Sequence, residues 1–517
     1  MKKFKYIVLL AILAFQLTSC SDWLTVLPEN EQVSDEYWTS KEEVESVLAS
    51  GYVYLRDAVP YLVRWGELRA GAIYTPVGGN VTGGDLQSFQ VTPDDYYMCT
   101  WAPLYKVINM ANSVIANAEA VLQRDETFDE AVMNSYLTEA YYLRALSYFY
   151  IIRNWRDAPL ITEPYETDRI SYEREKSSEA EIIAQIKADI TVALGTGAAK
   201  EKYEDEWATK GRATKWALHA LMADVCLWNE EYDAAILHCN EILDATSSFR
   251  PVLVTDPTKW YELFYPGNSN GSIFEINWDQ GTYDQTNSLA TMFGNGSPLY
   301  YYTGQMLTDW IDETNLTGAN DAVRTLYGGY VADVSSADNY PDATTGYIWK
   351  YSGIGLQDQV RNSVNEQDPN YIIYRVADIM LMKAEALISM SSDTESWSVA
   401  IDLINEIRTR SNLPILEPVL EELSEGDMLE LVLHERNMEL AGEGKRWYDL
   451  VRLGKRDGYT YRNRFLIDMV VDYNNTANPA WIRSVLNNDD AIYLPIETSE
   501  LENNRKLVQN PYYDVLN

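Results

Sequence analysis

Between Glu435 and Arg452 the sequence alternates acids and bases. Glu435, Glu439 and Glu443 are spaced four apart, with Arg436, Lys445, Arg446 and Arg452 among them. That spacing puts carboxylates on one face of a helix, where they either move protons or sit in ion pairs. Ion pairing is the preferred reading: a network would fix the helix against a scaffold, and breaking a buried pair costs on the order of a few kcal/mol. Arg375, Asp378 and Glu385 are read the same way. His434-Glu435 begins like a zinc-protease helix, but Met438 stands where the second His is required. Gly267-Asn268-Ser269-Asn270-Gly271 has the form of a nucleophile elbow. An elbow needs a strand before the Ser and a helix after it. Here Tyr265-Pro266 precedes and a strand-like run follows. The three histidines, His219, His238 and His434, all fall in helical segments. With 78 Asp and Glu in the chain, no carboxylate pair can be singled out as a glycosidase pair. Gly78, Gly79, Gly83 and Gly84 lack the Lys-Ser/Thr of a phosphate loop. Asp94-Asp95 is an acidic cluster of the kind Ca²⁺ uses, but no complete ligand loop accompanies it. No catalytic residue, cofactor or metal ligand is assigned.

The aromatic residues point to different chemistry. Residues 256–355 hold 18 aromatics, 18% against 12% for the whole chain, and neither Cys nor His. The segment is rich in Gly, Asn, Pro and Asp, and irregular insertions on regular scaffolds commonly display ligand-binding side chains. Aromatic planes accept the axial C–H faces of sugar rings, while Asn, Asp, Gln and Arg hydrogen-bond the hydroxyls. Core packing is the default for any one ring. Trp278, Tyr283, Tyr300, Tyr301, Trp310 and Trp349 are the favoured ligand contacts, because Gly, Asn or Asp lies near most of them. Tyr74 and Tyr96, in an earlier irregular stretch, are second choices.

Helices must hold these loops. Thr39 and Ser40 precede Glu42 and Glu43 by three residues each, two overlapping capping boxes. They predict a helix running towards Arg56, with Pro60 closing it. Residues 66–100 read as irregular. Leu104, Ile108, Ala111, Ile115, Ala118 and Leu122 step by 4, 3, 4, 3, 4, one apolar stripe of an amphipathic helix. Leu137 to Ile152 and Ile182 to Leu194 repeat the pattern. Ala213–Trp228 and Tyr232–Leu243 form a helical pair about one 34-residue unit long, similar to a tetratricopeptide repeat. A comparable pair recurs at Tyr374–Met390 and Trp397–Thr409. Such pairs bury their faces only by stacking, so the fold class is mainly α, a curved helical scaffold with a loop-rich insertion containing short strands.

Composition narrows the function. The formal net charge of −37 argues against a nucleic-acid partner, which needs clustered Lys and Arg. Lys2, Lys3 and Lys5 followed by the apolar run Tyr6–Phe15 read as a secretory signal over residues 1–19. Leu17-Thr18-Ser19-Cys20 resembles a bacterial lipobox, which makes Cys20 the lipid-bearing first residue of the mature chain. Several acyl chains on one Cys would anchor it firmly, since one chain alone holds weakly. Of the remaining cysteines, Cys226 and Cys239 sit on adjacent predicted helices; buried free thiols are preferred over a disulfide.

Several segments resemble one family. Glu435-Arg436-Asn437-Met438-Glu439-Leu440-Ala441-Gly442-Glu443-Gly444-Lys445-Arg446-Trp447-Tyr448-Asp449-Leu450-Val451-Arg452 is similar to the C-terminal signature of the SusD/RagB outer-membrane lipoproteins of Bacteroidetes. Tyr374-Arg375-Val376-Ala377-Asp378 with Lys383-Ala384-Glu385-Ala386, Trp101–Asn112, Glu139–Ala145 and the chain end from Leu494-Pro495-Ile496 to Gln509-Asn510-Pro511 resemble other blocks of that family, in order. The resemblance implies a single composite domain on the outer face of the outer membrane. It also implies a lid over a SusC-type TonB-dependent transporter, and a task of capturing glycans, or in some members peptides, and passing them on. The expected layout is a signal peptide at 1–19, a lipidated tether at 20–38 and a helical scaffold at 39–250 with a loop at 66–100. The aromatic insertion follows at 251–370, then a helical pair, signature helix and tail at 371–517. A binding protein is expected rather than an enzyme. A glycosidase housed in the insertion and a purely structural helical-repeat protein are the alternatives.

Overall fold

The computed structural model describes residues 37–514, apart from 77, 80–81, 167–170, 294–297, 318–322, 325–329, 333–345, 356–359, 362–365 and 475–477. Cys20, the signal peptide and nearly all of the tether lie outside the described residues.

Helix α1 (Lys41–Glu67) starts where the capping boxes place it: Ser40 and Glu43 cap each other, and Glu43 Oε2 accepts the Thr39 and Ser40 amides at 2.6 and 2.9 Å. It does not stop at Pro60. An interior proline removes one helix hydrogen bond and costs about 3 kcal/mol, but the next turn buries Leu62, Val63 and Trp65 completely or nearly so. Burial on that scale offsets the break. Next come α2 (Ala102–Leu122), α3 (Glu130–Trp155) and α4 (Glu179–Gly195). Each packs on its predecessor through the predicted stripe, with Leu104, Ile108, Ala111 and Ala118 buried on α2. A buried pair ties α3 to α4: Arg144 Nη2 and Nε reach Asp189 Oδ1 and Oδ2 at 2.6 and 2.8 Å.

The predicted pairs are present as α5 (Lys215–Trp228) with α6 (Tyr232–Leu243), and as α8 (Val376–Met390) with α9 (Thr394–Arg410); α7 (Gly304–Thr317) lies between them in the chain. Contact of α6 with α8 stacks one pair on the other. Cys99, Cys226 and Cys239 are buried and free, so Cys226 and Cys239 do not pair.

Two antiparallel sheets stitch the insertion to the scaffold. Strand β2 (Ser272–Ile276) pairs with β6 (Tyr371–Arg375), and every residue of both is buried. Strands β1 (Ile73–Tyr74), β3 (Tyr301–Tyr302), β4 (Tyr330–Ala332) and β5 (Gly346–Ile348) form the other, ordered β1-β3-β5-β4. The early loop and the aromatic insertion therefore share one sheet.

The signature segment is two helices, not one. Helix α10 (Glu425–Leu440) and α11 (Arg446–Tyr459) are separated by a turn in which Gly442 and Gly444 have φ of +82° and +72°. Side chains rarely adopt that backbone region, and a Cβ on Gly444 would stand 2.1 Å from the Tyr371 hydroxyl. Glu443 thus lies in the turn rather than on the helix face shared by Glu435 and Glu439. All three acids nevertheless join one buried network. Arg324 pairs with Glu435 at 2.5 Å and Glu439 at 3.4 Å, Arg375 with Glu439 at 2.6 Å and Glu443 at 2.8 Å, and Lys350 with Glu443 at 2.6 Å. A second group joins Arg436 to Asp378 and Asp449, Lys445 to Asp378, and Arg452 to Glu385. Arg446 instead donates to the Leu433 carbonyl. Burial alone would raise Asp378, but Lys445 and Arg436 hold it down at about 2. Burial likewise opposes Glu439, and Arg410, Arg375 and Arg324 hold it well below the usual carboxylate range. The segment that looked most like chemistry is a fastening.

Candidate functional site

The eight aromatic residues expected at a ligand site divide sharply. Trp278, Tyr300, Trp310 and Trp349 are buried, at 7, 0, 1 and 3% exposure, and offer no ring face to solvent. Trp310 packs edge-on to Tyr302 at 5.1 Å. Trp349 sits with Trp260, Tyr261 and Phe264 in a satellite core; its Nε1 donates to the Gly355 carbonyl and its own carbonyl accepts from the Tyr261 hydroxyl, both at 2.7 Å. The Trp278 amide donates to Asn370 Oδ1 at 3.3 Å. The reason is architectural. Short strands and turns bury little area per residue, so large flat side chains make up the insertion's core. Enrichment in aromatics there marks packing more than display.

Tyr74, Tyr301, Tyr96 and Tyr283 do reach the surface. Tyr74 and Tyr301 are cross-strand partners in β1 and β3, half-buried, with ring centroids 5.8 Å apart and planes inclined by 35°. Tyr96 begins a short helix, Tyr96–Cys99, and meets its neighbour Tyr97 edge to face at 5.6 Å. The two are 49 and 43% exposed, high for adjacent rings on a folded surface. Helix α1 lies beside the Tyr96–Tyr97 pair. Burial is the main cause raising the Tyr61 phenol; Tyr96 and Tyr97 raise it further and Arg64, one turn on, opposes. Arg64 Nε donates to the Tyr300 hydroxyl at 2.9 Å, and that hydroxyl donates to the Thr82 carbonyl at 2.7 Å. Tyr96, Tyr97, Tyr61 and Arg64 therefore lie together as a tyrosine strip along the end of α1, and Arg64 reaches Tyr300, the chain neighbour of Tyr301. Tyr300 acts beneath it as a brace.

Tyr283 stands apart, 60% exposed and 6.1 Å from Trp207. Trp207 lines a different cavity, of about 320 Å³, with Tyr52 and Arg56 of α1.

Tyr61, Arg64 and Tyr97 were not anticipated. The first two were hidden by the assumption that α1 ends at Pro60. Tyr97 was visible as half of a Tyr-Tyr pair between Asp95 and Met98. Of the acidic cluster beside it, Asp95 accepts the Thr92 amide at 2.7 Å and Asp94 accepts the Thr498 hydroxyl at 2.5 Å. Asp95 closes its own turn, and Asp94 ties that turn to the C-terminal part of the chain. Among the described residues no group of three or more His, Cys, Asp or Glu is placed to hold a metal ion, and no helix is long and apolar enough to cross a membrane.

Comparison with known proteins is consistent along the whole chain. Residues 254–513 match the SusD family model, and residues 22–227 match a model described as "Starch-binding associating with outer membrane". SusD-like protein P38 of Formosa agariphila is 29% identical over 494 residues, covering 88% of this chain and 93% of that protein. A SusD-like protein of Bacteroides ovatus is 26% identical, covering 86 and 82%. Among solved structures, a laminarin-binding SusD-like protein superposes with a TM-score of 0.69 at 21% identity, covering 92% of this chain and all of that one. Surface glycan-binding protein A of Bacteroides thetaiotaomicron, in complex with laminarihexaose, superposes with a TM-score of 0.68 at 18% identity, covering 92 and 100%. The overall fold is thus shared with these structures, and the chain belongs to the SusD family.

Proposed function

We propose that this protein is a cell-surface lipoprotein that captures glycan oligomers on the tyrosine strip and hands them to a SusC-type TonB-dependent transporter. The carrying observation is the strip itself, exposed Tyr96 and Tyr97 beside Tyr61 and Arg64, together with the half-buried Tyr74–Tyr301 pair that follows Tyr300, the residue Arg64 bonds. All five of these rings have solvent-facing surface and a hydroxyl each to exchange hydrogen bonds, with one guanidinium among them. A neutral pyranose fits such a surface, stacking its C–H face on a ring while its hydroxyls pair with phenols and Arg64. Nothing in that recognition needs an opposing charge, which suits a chain of net charge −37. The laminarin-binding and laminarihexaose-bound relatives support a glycan as ligand. The lipobox at Leu17–Cys20 and the outer-membrane description of the N-terminal match support an anchored location.

A hydrolytic role has no comparable support. Ser269 lies in a turn where its Oγ accepts the Gly271 amide at 3.3 Å. His219 and His238 face each other at 2.9 Å, and His434 contacts Glu313 at 3.0 Å. Calorimetry against a panel of neutral glucans and of peptides, with a parallel reducing-end assay, tests the proposal. Micromolar to millimolar glucan binding without release of reducing ends is expected. Binding confined to peptides, binding to neither class, or glycan turnover would overturn it.

A further inference from the structure

A second cavity, of about 440 Å³, lies between α2, residues 159–165 with Tyr172, and the short helix Thr498–Asn503. It shares no lining residue with the tyrosine strip. Its walls are aromatic: Trp101 and Tyr105 meet at 71° and 5.7 Å, while Tyr165 and Tyr172 stack at 4.9 Å with planes 27° apart. Tyr172 is 57% exposed. The Tyr165 hydroxyl is buried without a hydrogen-bond partner.

Among the described residues, Glu500 is the one acidic or basic side chain that lines this cavity, beside Asn109, Asn112, Asn503 and Asn504. Many buried acids are matched to bases: Asp189 to Arg144, Glu385 to Arg452, Glu443 to Arg375 and Lys350. Glu500 is half-buried, and among the described residues it forms no ion pair with Lys, Arg or His. Burial raises its carboxyl, Trp101 opposes by donating a hydrogen bond, and the neighbouring Glu497 raises it further. The aromatic lining and the single carboxylate favour a cation in a partly dry pocket. A neutral hydroxyl gains much less from that field.

We infer that this cavity binds a protonated amine, with Glu500 as its counter-ion and Trp101, Tyr105, Tyr165 and Tyr172 around the carbon body that carries it. An amino sugar and a lysine side chain of a protein partner both present that group. The inference is independent of the glycan reading of the strip, because the two sites have separate residues and separate probes.

The test is calorimetric titration of the full folded protein with glucosamine, with Nα-acetyl-lysine methylamide and with glucose. At least one amine should bind at least tenfold more tightly than glucose. Tighter glucosamine assigns the source as an amino sugar; tighter lysine amide assigns it as a basic side chain. Glu500→Gln should weaken the amine at least tenfold without moving the melting temperature, and Tyr172→Ala should weaken it severalfold. Equal affinity for glucose and both amines, no binding of either amine, or unchanged amine affinity in Glu500→Gln would overturn the assignment.

Discussion

Glu67, the last residue of α1, is completely buried, and replacing it with glutamine should stabilise the protein. Its Oε1 accepts the Gly444 amide at 2.6 Å, while Oε2 has no hydrogen-bond partner. Here α1 presses against the signature turn: a Cβ on Gly66 would stand 2.1 Å from the Gly444 carbonyl oxygen. Burial pushes the Glu67 carboxyl up to about 8, against the opposing backbone hydrogen bonds of Gly444 and Lys445. In the unfolded chain the same group ionises near 4.5. Between those values the folded state holds a proton that the unfolded state has released, so stability falls as pH rises through this window. Each unit of displacement is worth about 1.4 kcal/mol. At pH 7 the accumulated penalty is about 3 kcal/mol, and it flattens above pH 8. Glutamine has the same shape, keeps the acceptor for Gly444 and cannot ionise. Urea unfolding at pH 4, 7 and 8.5 should show Glu67→Gln equal to wild type at pH 4 and more stable by about 3 kcal/mol at pH 7. The gap should be wider still at pH 8.5. A variant that is neutral or destabilised at pH 7, with a pH profile parallel to wild type, would mean that the buried carboxylate is ionised in the fold, and would refute the reasoning.

Two further substitutions test the structural assignments. Arg375→Met removes two ion pairs at once and leaves Glu443 with Lys350 as its remaining cation; the loss should be about 3–5 kcal/mol in urea unfolding, whereas a loss below about 1 kcal/mol would mean the network is not load-sharing. Trp310→Ala should cost about 3–5 kcal/mol by leaving a cavity beside Tyr302, and any glycan binding that survives should keep wild-type affinity per folded molecule, as measured by calorimetry on the folded fraction.

Much of the scaffold was legible because helical periodicity is a local signal. The stripe from Leu104 to Leu122 and the stepped apolar residues of α3 and α4 each specify a helix without reference to anything distant. The errors came where tertiary contacts override local rules. Pro60 should end a helix, but burial of Leu62, Val63 and Trp65 carries α1 past it. The four-residue spacing of Glu435, Glu439 and Glu443 suggested one continuous helix. Gly442 and Gly444 break it, and the guanidiniums of Arg324 and Arg375 still gather all three acids. Composition placed aromatics in the insertion correctly. Whether a given ring packs or displays depends on which neighbours cover it, and those neighbours are distant in sequence. Trp349 is covered by Trp260 and Phe264, whereas Tyr96 and Tyr97 remain 49 and 43% exposed. Accordingly the second-choice tyrosines, Tyr74 and Tyr96, reach the surface, and four of the six favoured positions, Trp278, Tyr300, Trp310 and Trp349, are buried.

The central claim is that the exposed tyrosines, not the buried tryptophans, grip the ligand. Titrating laminarihexaose into wild type and into the Tyr96→Ala/Tyr97→Ala double variant addresses it directly. Two stacked rings contribute about 1–3 kcal/mol together, so affinity should fall about tenfold or more while the melting temperature stays unchanged. Undiminished binding by a folded double variant would contradict the claim.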